Sequence, residues 1–392
     1  MQKRLPFYFI LFLVISTLAY TPAFLRDNPY GFDTYFFLYQ VCSENPHKDE
    51  FLAPRTQPIL GNLIEEALPC NITTIKILFF TCMLLSALFC GLLASQFRAN
   101  GFIAATLIYA TPVFTLEFYK FENDAIAYPI LFAATWLFYT GLKQKNTTKQ
   151  AIAITTTIVT LFLWEGSLLY TIVFLSTYAW FSIPFFLGSI ALQQKFQELF
   201  ITKIAPTLHS ATENLPAYGM LYQFFLIPAL MYIKYTPLLI APTVLFSLLA
   251  FINSKFAIHA SFFLAIGASA LMQRAETNLM KYLPLAGAIF MACFLFVLGP
   301  SLPPDSQEFT AAELAVISAE GQPICNEWGT GHLIRYLGGN PMAFGGGEQL
   351  DCSKHEGIVL SYQKIACKKL NKTENDTQIG VYDCKTTSLQ TQ

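Results

Sequence analysis

The chain is poor in charge. Only 12% of its 392 residues are Asp, Glu, Lys or Arg, about half of what a soluble domain carries. That excludes an ordinary water-facing surface over most of its length. Positive charge is not in excess either: 24 Lys and Arg against 25 Asp and Glu leave a net charge of −1, which argues against a nucleic-acid partner. The spacings GxxxxGK[ST] and GxGxxG are absent, and the run Phe344-Gly345-Gly346-Gly347 supplies neither, so the usual phosphate-cradling loops are excluded. No CxxC occurs among nine cysteines, which disfavours zinc without removing it. There is no internal repeat and no low-complexity tract.

What is present is apolar. The chain is 54% hydrophobic, with 37 Phe and 19 Tyr, a composition suited to lipid-facing and interfacial positions. Apolar blocks fill residues 1–300, whereas 301–392 have no long apolar run. The pattern predicts a mainly α, polytopic helical membrane domain over 1–300 and a small mixed α/β soluble domain over 301–392. About eleven spans are expected, near 6–25, 74–95, 101–116, 125–141, 150–163, 167–179, 181–193, 220–234, 237–252, 257–272 and 280–299. The basic, then apolar N-terminus resembles a signal peptide but is long enough to cross, and it reads as a retained first span. Lys3 and Arg4 keep it inside by the positive-inside rule, as they do Arg98, Lys143, Lys145 and Lys149. Segments 26–73, 117–124 and 194–219, and the C-terminal domain, are then extracytoplasmic.

The cysteines agree with that topology. Cys82, Cys90 and Cys293 fall inside spans, where a thiol acts as a small apolar group. Cys42, Cys70, Cys325, Cys352, Cys367 and Cys384 fall outside, an even number suited to disulfides. Cys42 with Cys70 is the natural bridge of the first loop. The last four allow three pairings.

An ionisable group between apolar spans is costly unless it pairs or binds something. Asp33, Glu122, Asp124 and Glu213 occupy such positions, all on the expected outer side. Asp33 lies in Gly31-Phe32-Asp33-Thr34-Tyr35-Phe36, where an Asx-type turn is the simpler explanation. In Phe121-Glu122-Asn123-Asp124, two carboxylates at i and i+2 can share Mg²⁺ or Mn²⁺, and Asp124 can also cap a helix. Glu213 lies in Ser210-Ala211-Thr212-Glu213-Asn214-Leu215-Pro216, by default a mobile loop. In the soluble domain, Glu327-Trp328-Gly329-Thr330-Gly331-His332-Leu333-Ile334 sets one of four tryptophans among glycines, either a recognition platform or a core Trp beside a turn.

In order and spacing these motifs resemble the catalytic subunit of the oligosaccharyltransferases, multi-span glycosyltransferases of the GT-C type that N-glycosylate proteins. The Phe32–Phe36 run is similar to the family's Asp-containing first loop. Glu122-Asn123-Asp124 is similar to its DxD or ExD pair, Ser210–Pro216 to its later Ser/Thr-x-x-Glu loop, and Trp328–Ile334 to its Trp-Trp-Asp-Tyr-Gly segment. The sequence departs from that last motif, with Glu327 at the first Trp and Gly329 at the Asp. The resemblance implies a lipid-linked oligosaccharide donor, an acceptor protein and a divalent cation held by Asp33, Glu122 and Asp124. It implies Asp33 and Glu213 as catalytic carboxylates at an acceptor Asn amide, and Glu327, Trp328 and Gly329 at the acceptor site. Arg274 or Lys281 would take the family's place for a basic residue near the lipid phosphate. A GT-C transferase acting on a lipid, polysaccharide or hydroxyl acceptor is the alternative. A non-enzymatic transporter would be expected to carry charges at mid-span, and Glu165 is the only acid near one.

Overall fold

The computed structural model describes residues 5–42, 59–164, 166–176, 237–250, 256–274, 278–299, 304, 306–326, 330–343, 352, 355–362, 364–370 and 379–384. Its N-terminal part is helical: α1 (Leu5–Leu25), α2 (Phe32–Cys42), α3 (Ile59–Ala67), α4 (Ile72–Gln96), α5 (Gly101–Leu107), α6 (Pro112–Tyr119), α7 (Asn123–Gln144), α8 (Thr147–Thr160) and α9 (Ser167–Ser176). Helices Ile240–Leu249, Phe256–Arg274 and Asn278–Leu298 follow.

The expectation of eleven spans is corrected. Among the described residues four helices are long and apolar enough to cross a membrane: Pro6–Leu25, Ile72–Gln96, Asn123–Gln144 and Phe256–Arg274. A fifth is added if the bent pair Gly101–Ala110 and Pro112–Tyr119 counts as one. For α8 the reason is length. The 14 residues of α8 reach only about 21 Å, short of an apolar layer of about 30 Å. The expected spans 181–193 and 220–234 lie outside the described residues.

The bend has a local cause. The residue before a proline is pushed out of the α region. Thr111 is accordingly extended (φ −105°, ψ 106°), and Pro112 opens α6 at its first turn. The two halves meet at 79°, so the last turn of α6 enters the protein instead of continuing a straight span.

Small residues bring the spans together, as is usual where lipid supplies no hydrophobic drive. A Cβ on Gly91 of α4 would lie 2.6 Å from the Gly101 carbonyl oxygen at the start of α5. Cys90 Sγ donates to the Phe262 carbonyl at 3.3 Å, and Ser269 Oγ to the Asn100 carbonyl at 2.8 Å. Lys76, inside the second span, is buried. Its Nζ donates to the carbonyls of Phe24, in the last turn of α1, and Arg26, just past its end, where a helix terminus favours a cation.

The bundle therefore has two unlike ends. At one end lie Arg98, Lys143, Lys145 and Lys149, with Lys143 over the Phe97 ring at 5.6 Å. At the other lie the C-terminus of α1, α2, α3, the α6–α7 junction and the C-terminal domain. Arg26 ties the last of these down, donating to the Gly299 carbonyl at 3.2 Å and the Pro304 carbonyl at 2.5 Å.

That domain is a helix, Ser306–Ala319, on a five-stranded sheet of order β2-β1-β3-β5-β4. The strands are β1 (Pro323–Asn326), β2 (Asn340–Pro341), β3 (Ile358–Ser361), β4 (Lys368–Lys369) and β5 (Gly380–Asp383). β1 is parallel to β2 and β3, while β5 is antiparallel to β3 and β4. The disulfide Cys42–Cys70 forms as expected, and the open choice among the last four cysteines resolves to Cys325–Cys352 and Cys367–Cys384. Cys82 and Cys90 are buried free thiols, and Cys293 is an exposed one.

A short helix, Gly331–Tyr336, carries the second half of the Trp328–Ile334 segment onto α2. Phe36 and His332 lie 5.1 Å apart, Tyr35 and Tyr336 5.3 Å apart, and Arg335 sits 5.6 Å above Tyr39. Gly331 permits this path, since a Cβ there would lie 1.9 Å from the Ala343 carbonyl oxygen. Gly331→Ala is expected to cost about 3 kcal/mol through overpacking, measured as a lower unfolding midpoint and faster proteolysis of the C-terminal domain.

Candidate functional site

The α6–α7 junction gathers the acidic residues. Glu117 is in the last turn of α6 and is buried at 3% exposure. Glu122 is extended (φ −135°, ψ 152°) and stands at the cap position of α7 without a cap bond from its side chain. Asp124, expected as a possible cap, instead lies in the first turn, where the helix dipole favours an acid. It is buried, and its Oδ1 accepts from the Ala125 N–H at 2.9 Å. One carboxylate oxygen from each of Glu117, Glu122 and Asp124 lies within 4.8 Å of the others.

The donor set consists of hard carboxylate oxygens, which suit Mg²⁺ or Mn²⁺ and not a soft metal. Like charges this close repel by on the order of 3 kcal/mol per ionised pair at an effective dielectric of about 20. A divalent cation between them would offset that cost, so the residues present fit one. Glu117 stands one residue past the expected span 101–116, at the edge of the expected outer segment 117–124, where no short motif links it to Glu122 and Asp124. The sequence signal was the Thr111-Pro112 break, which turns the following half-helix inward.

The first loop roofs this junction at two points. Thr34 Oγ1 donates to the Tyr30 carbonyl at 2.6 Å and accepts from the Phe121 N–H at 3.0 Å. This bond joins the helix that contains Asp33 to the residue before Glu122. Asp33 is the second residue of α2, and its side chain lies outside the described residues. At the second point Asn123 Nδ2 donates to Glu65 Oε1 of α3 at 3.0 Å. Burial pushes the Glu65 carboxyl up to about 7, against a lowering by the Asn123 hydrogen bond and a further raising by Glu66.

Beneath the carboxylates the site is aromatic. Tyr128 O–H donates to Glu117 Oε1 at 3.5 Å, and its ring meets Trp164 at 5.5 Å and His259 at 5.4 Å. An apolar groove of about 430 Å³ runs along α8 and on to Leu163, with Ile130 as one wall and Leu60 at the first-loop end; none of the three carboxylates lines it.

Glu213, Glu327, Trp328 and Gly329 lie outside the described residues. Arg274 is exposed in the last turn of its helix. That turn lies beyond Ser269, which bonds Asn100, so Arg274 sits at the basic end, away from the carboxylates. Lys281 enters the next helix from the same end, and its side chain is not described. Neither is brought to the acidic junction.

No known family model matches the sequence, and no curated protein matches it.

Proposed function

We propose that the chain is a membrane glycosyltransferase of the oligosaccharyltransferase type, moving a glycan from a polyprenyl-linked carrier to an acceptor Asn side chain. The observation that carries this reading is the gathering of Glu117, Glu122 and Asp124 beneath the helix that contains Asp33. Two further arrangements support it. The Gly331–Tyr336 helix, next to the Trp328 segment, rests on that same helix. The apolar groove ends at Leu60 of α3, whose Glu65 bonds Asn123, which offers a polyprenyl tail a path from the bilayer to the acidic end. By the positive-inside rule the end with Arg98, Lys143, Lys145 and Lys149 is cytoplasmic, so the site and the C-terminal domain face outward.

Glu117, Glu122 and Asp124 would hold Mg²⁺ or Mn²⁺, with Asp33 completing the set from the first loop. When bound, the cation would stabilise negative charge on the phosphate leaving group as the bond to C1 breaks. An Asn amide nitrogen is a weak nucleophile because its lone pair is delocalised. Asp33 and Glu213, on separate loops, would accept hydrogen bonds from its two N–H groups and orient it. Tyr128 holds Glu117 from below, and α2 and α3 cover the junction from solvent.

The test uses purified protein in detergent with Mn²⁺, extracted polyprenyl-linked oligosaccharide, and peptides containing Asn-x-Thr or Gln-x-Thr. A metal-dependent mobility shift for the Asn peptide alone is expected, abolished by Asp33→Ala and by Glu213→Gln. Donor consumed without a shifted peptide would move the acceptor to a lipid, a polysaccharide or a hydroxyl. An untouched donor would refute the transferase reading.

A further inference from the structure

Between Glu122 and Asp124 stands a residue that faces the other way. The Asn123 side chain meets α3, while its two neighbours gather with Glu117. In α3, Gly61 and Glu65 are four residues apart and share one face of the helix. Both touch Asn123. A Cβ on Gly61 would lie 2.6 Å from Asn123 Nδ2, so glycine is what lets the helix come this close. Glu65 then accepts the amide proton at 3.0 Å. Asn123 Oδ1 is buried and has no hydrogen-bond partner among the described residues, so within them Glu65 is the one polar anchor of that side chain.

The anchor is itself fixed. The Leu60 N–H donates to the Phe162 carbonyl at 2.8 Å, holding the start of α3 to the end of α8. The Cys42–Cys70 bridge closes three residues after the end of α3. A carboxylate only 2% exposed is costly to bury.

We propose that Glu65 is a positioning residue: through Asn123 it fixes the backbone that presents Glu122 and Asp124. The inference rests on reading Glu117, Glu122 and Asp124 as a cation-binding set. Such a set works only when its ligands are held to within about 0.5 Å by a supporting shell, and Glu65 and Gly61 form that shell on the α3 side.

The experiment compares full-length wild type, Glu65→Ala, Glu65→Gln, Gly61→Ala and Glu122→Gln in detergent. Two quantities are read: Mn²⁺ affinity by electron paramagnetic resonance, and amide hydrogen exchange over residues 120–126. Glu65→Ala is expected to weaken Mn²⁺ about tenfold and to speed exchange of that segment. Glu65→Gln keeps the acceptor oxygen and should match wild type in both. Gly61→Ala displaces Asn123 while retaining Glu65 and should reproduce the Ala result, which guards against a Glu65→Ala protein that fails to fold. Unchanged exchange and affinity in both Ala variants would overturn the proposal. If Glu122→Gln loses Mn²⁺ while Glu65→Ala does not, the positioning role fails and the cation reading stands. If wild type binds no Mn²⁺, the cation reading fails and the positioning role goes with it, whatever the exchange rates.

Discussion

Glu122→Gln and Asp124→Asn should each lower metal-dependent transfer on the order of 10³-fold, and neither should lower the stability of the metal-free protein. The two effects separate because they have different origins. On the proposed reading, activity needs the charges together. Folding without a cation brings three carboxylate oxygens within 4.8 Å of one another, and replacing a carboxylate by its amide keeps an acceptor oxygen and the same shape. Glu117→Gln should behave the same way, although it also loosens the Tyr128 contact. The measurement is turnover alongside the unfolding midpoint, both with and without Mn²⁺. Wild type should gain stability on adding Mn²⁺, and the variants should gain little. A variant that loses activity and midpoint together would mark its carboxylate as structural.

The second large effect is a pH dependence at α3. Glu65 has its carboxyl raised from 4.5 to about 7, chiefly by burial. The folded state therefore holds a proton that the unfolded state has released between about pH 4.5 and 7. Stability falls as pH rises through that window and reaches its floor above pH 7, where burying the charged form costs about 3 kcal/mol. Glu65→Gln is neutral throughout and keeps the hydrogen bond to Asn123. It should match wild type at pH 4.5, exceed it by about 3 kcal/mol at pH 8, and flatten the profile between. Chemical unfolding in detergent across that range decides the matter. A parallel profile for wild type and Glu65→Gln would assign the pH dependence to other groups.

The parts of this architecture that were legible in the sequence are those written in short stretches. Glu122-Asn123-Asp124 could be read as a paired carboxylate because its partners are two residues apart. The bridge Cys42–Cys70 could be read because each cysteine flanks an apolar block. Long-range partners left no such mark. Glu117 reaches the pair only after the chain turns by 79°, and the consequence of Thr111-Pro112 for the next half-helix depends on what that half-helix packs against. Glu65 looks like one of two adjacent surface acids in Leu63-Ile64-Glu65-Glu66. Only the approach of Asn123, permitted by Gly61, distinguishes it from exposed Glu66. Hydropathy measures how apolar a segment is and not how long its helix runs, so Thr147–Thr160 reads as a span while being too short to cross. The three pairings of the last cysteines are equivalent until β4 pairs with β5, setting Lys368 opposite Asp383 and so Cys367 beside Cys384, which leaves Cys325 to Cys352.

The position of the acidic junction along the chain bears on biogenesis. Glu65, Glu117, Glu122, Asp124 and Tyr128 are all encoded within the first 128 residues, and the disulfide that braces α3 closes at Cys70. A ribosome adds roughly 5–20 residues per second, so these groups leave it on the order of tens of seconds before the strands of the C-terminal sheet. The carboxylate cluster can therefore assemble in a half-made chain, before the Gly331–Tyr336 helix exists to rest on α2. The order of the chain then allows maturation a direction: the acidic centre can form before the domain that rests on its loop is made.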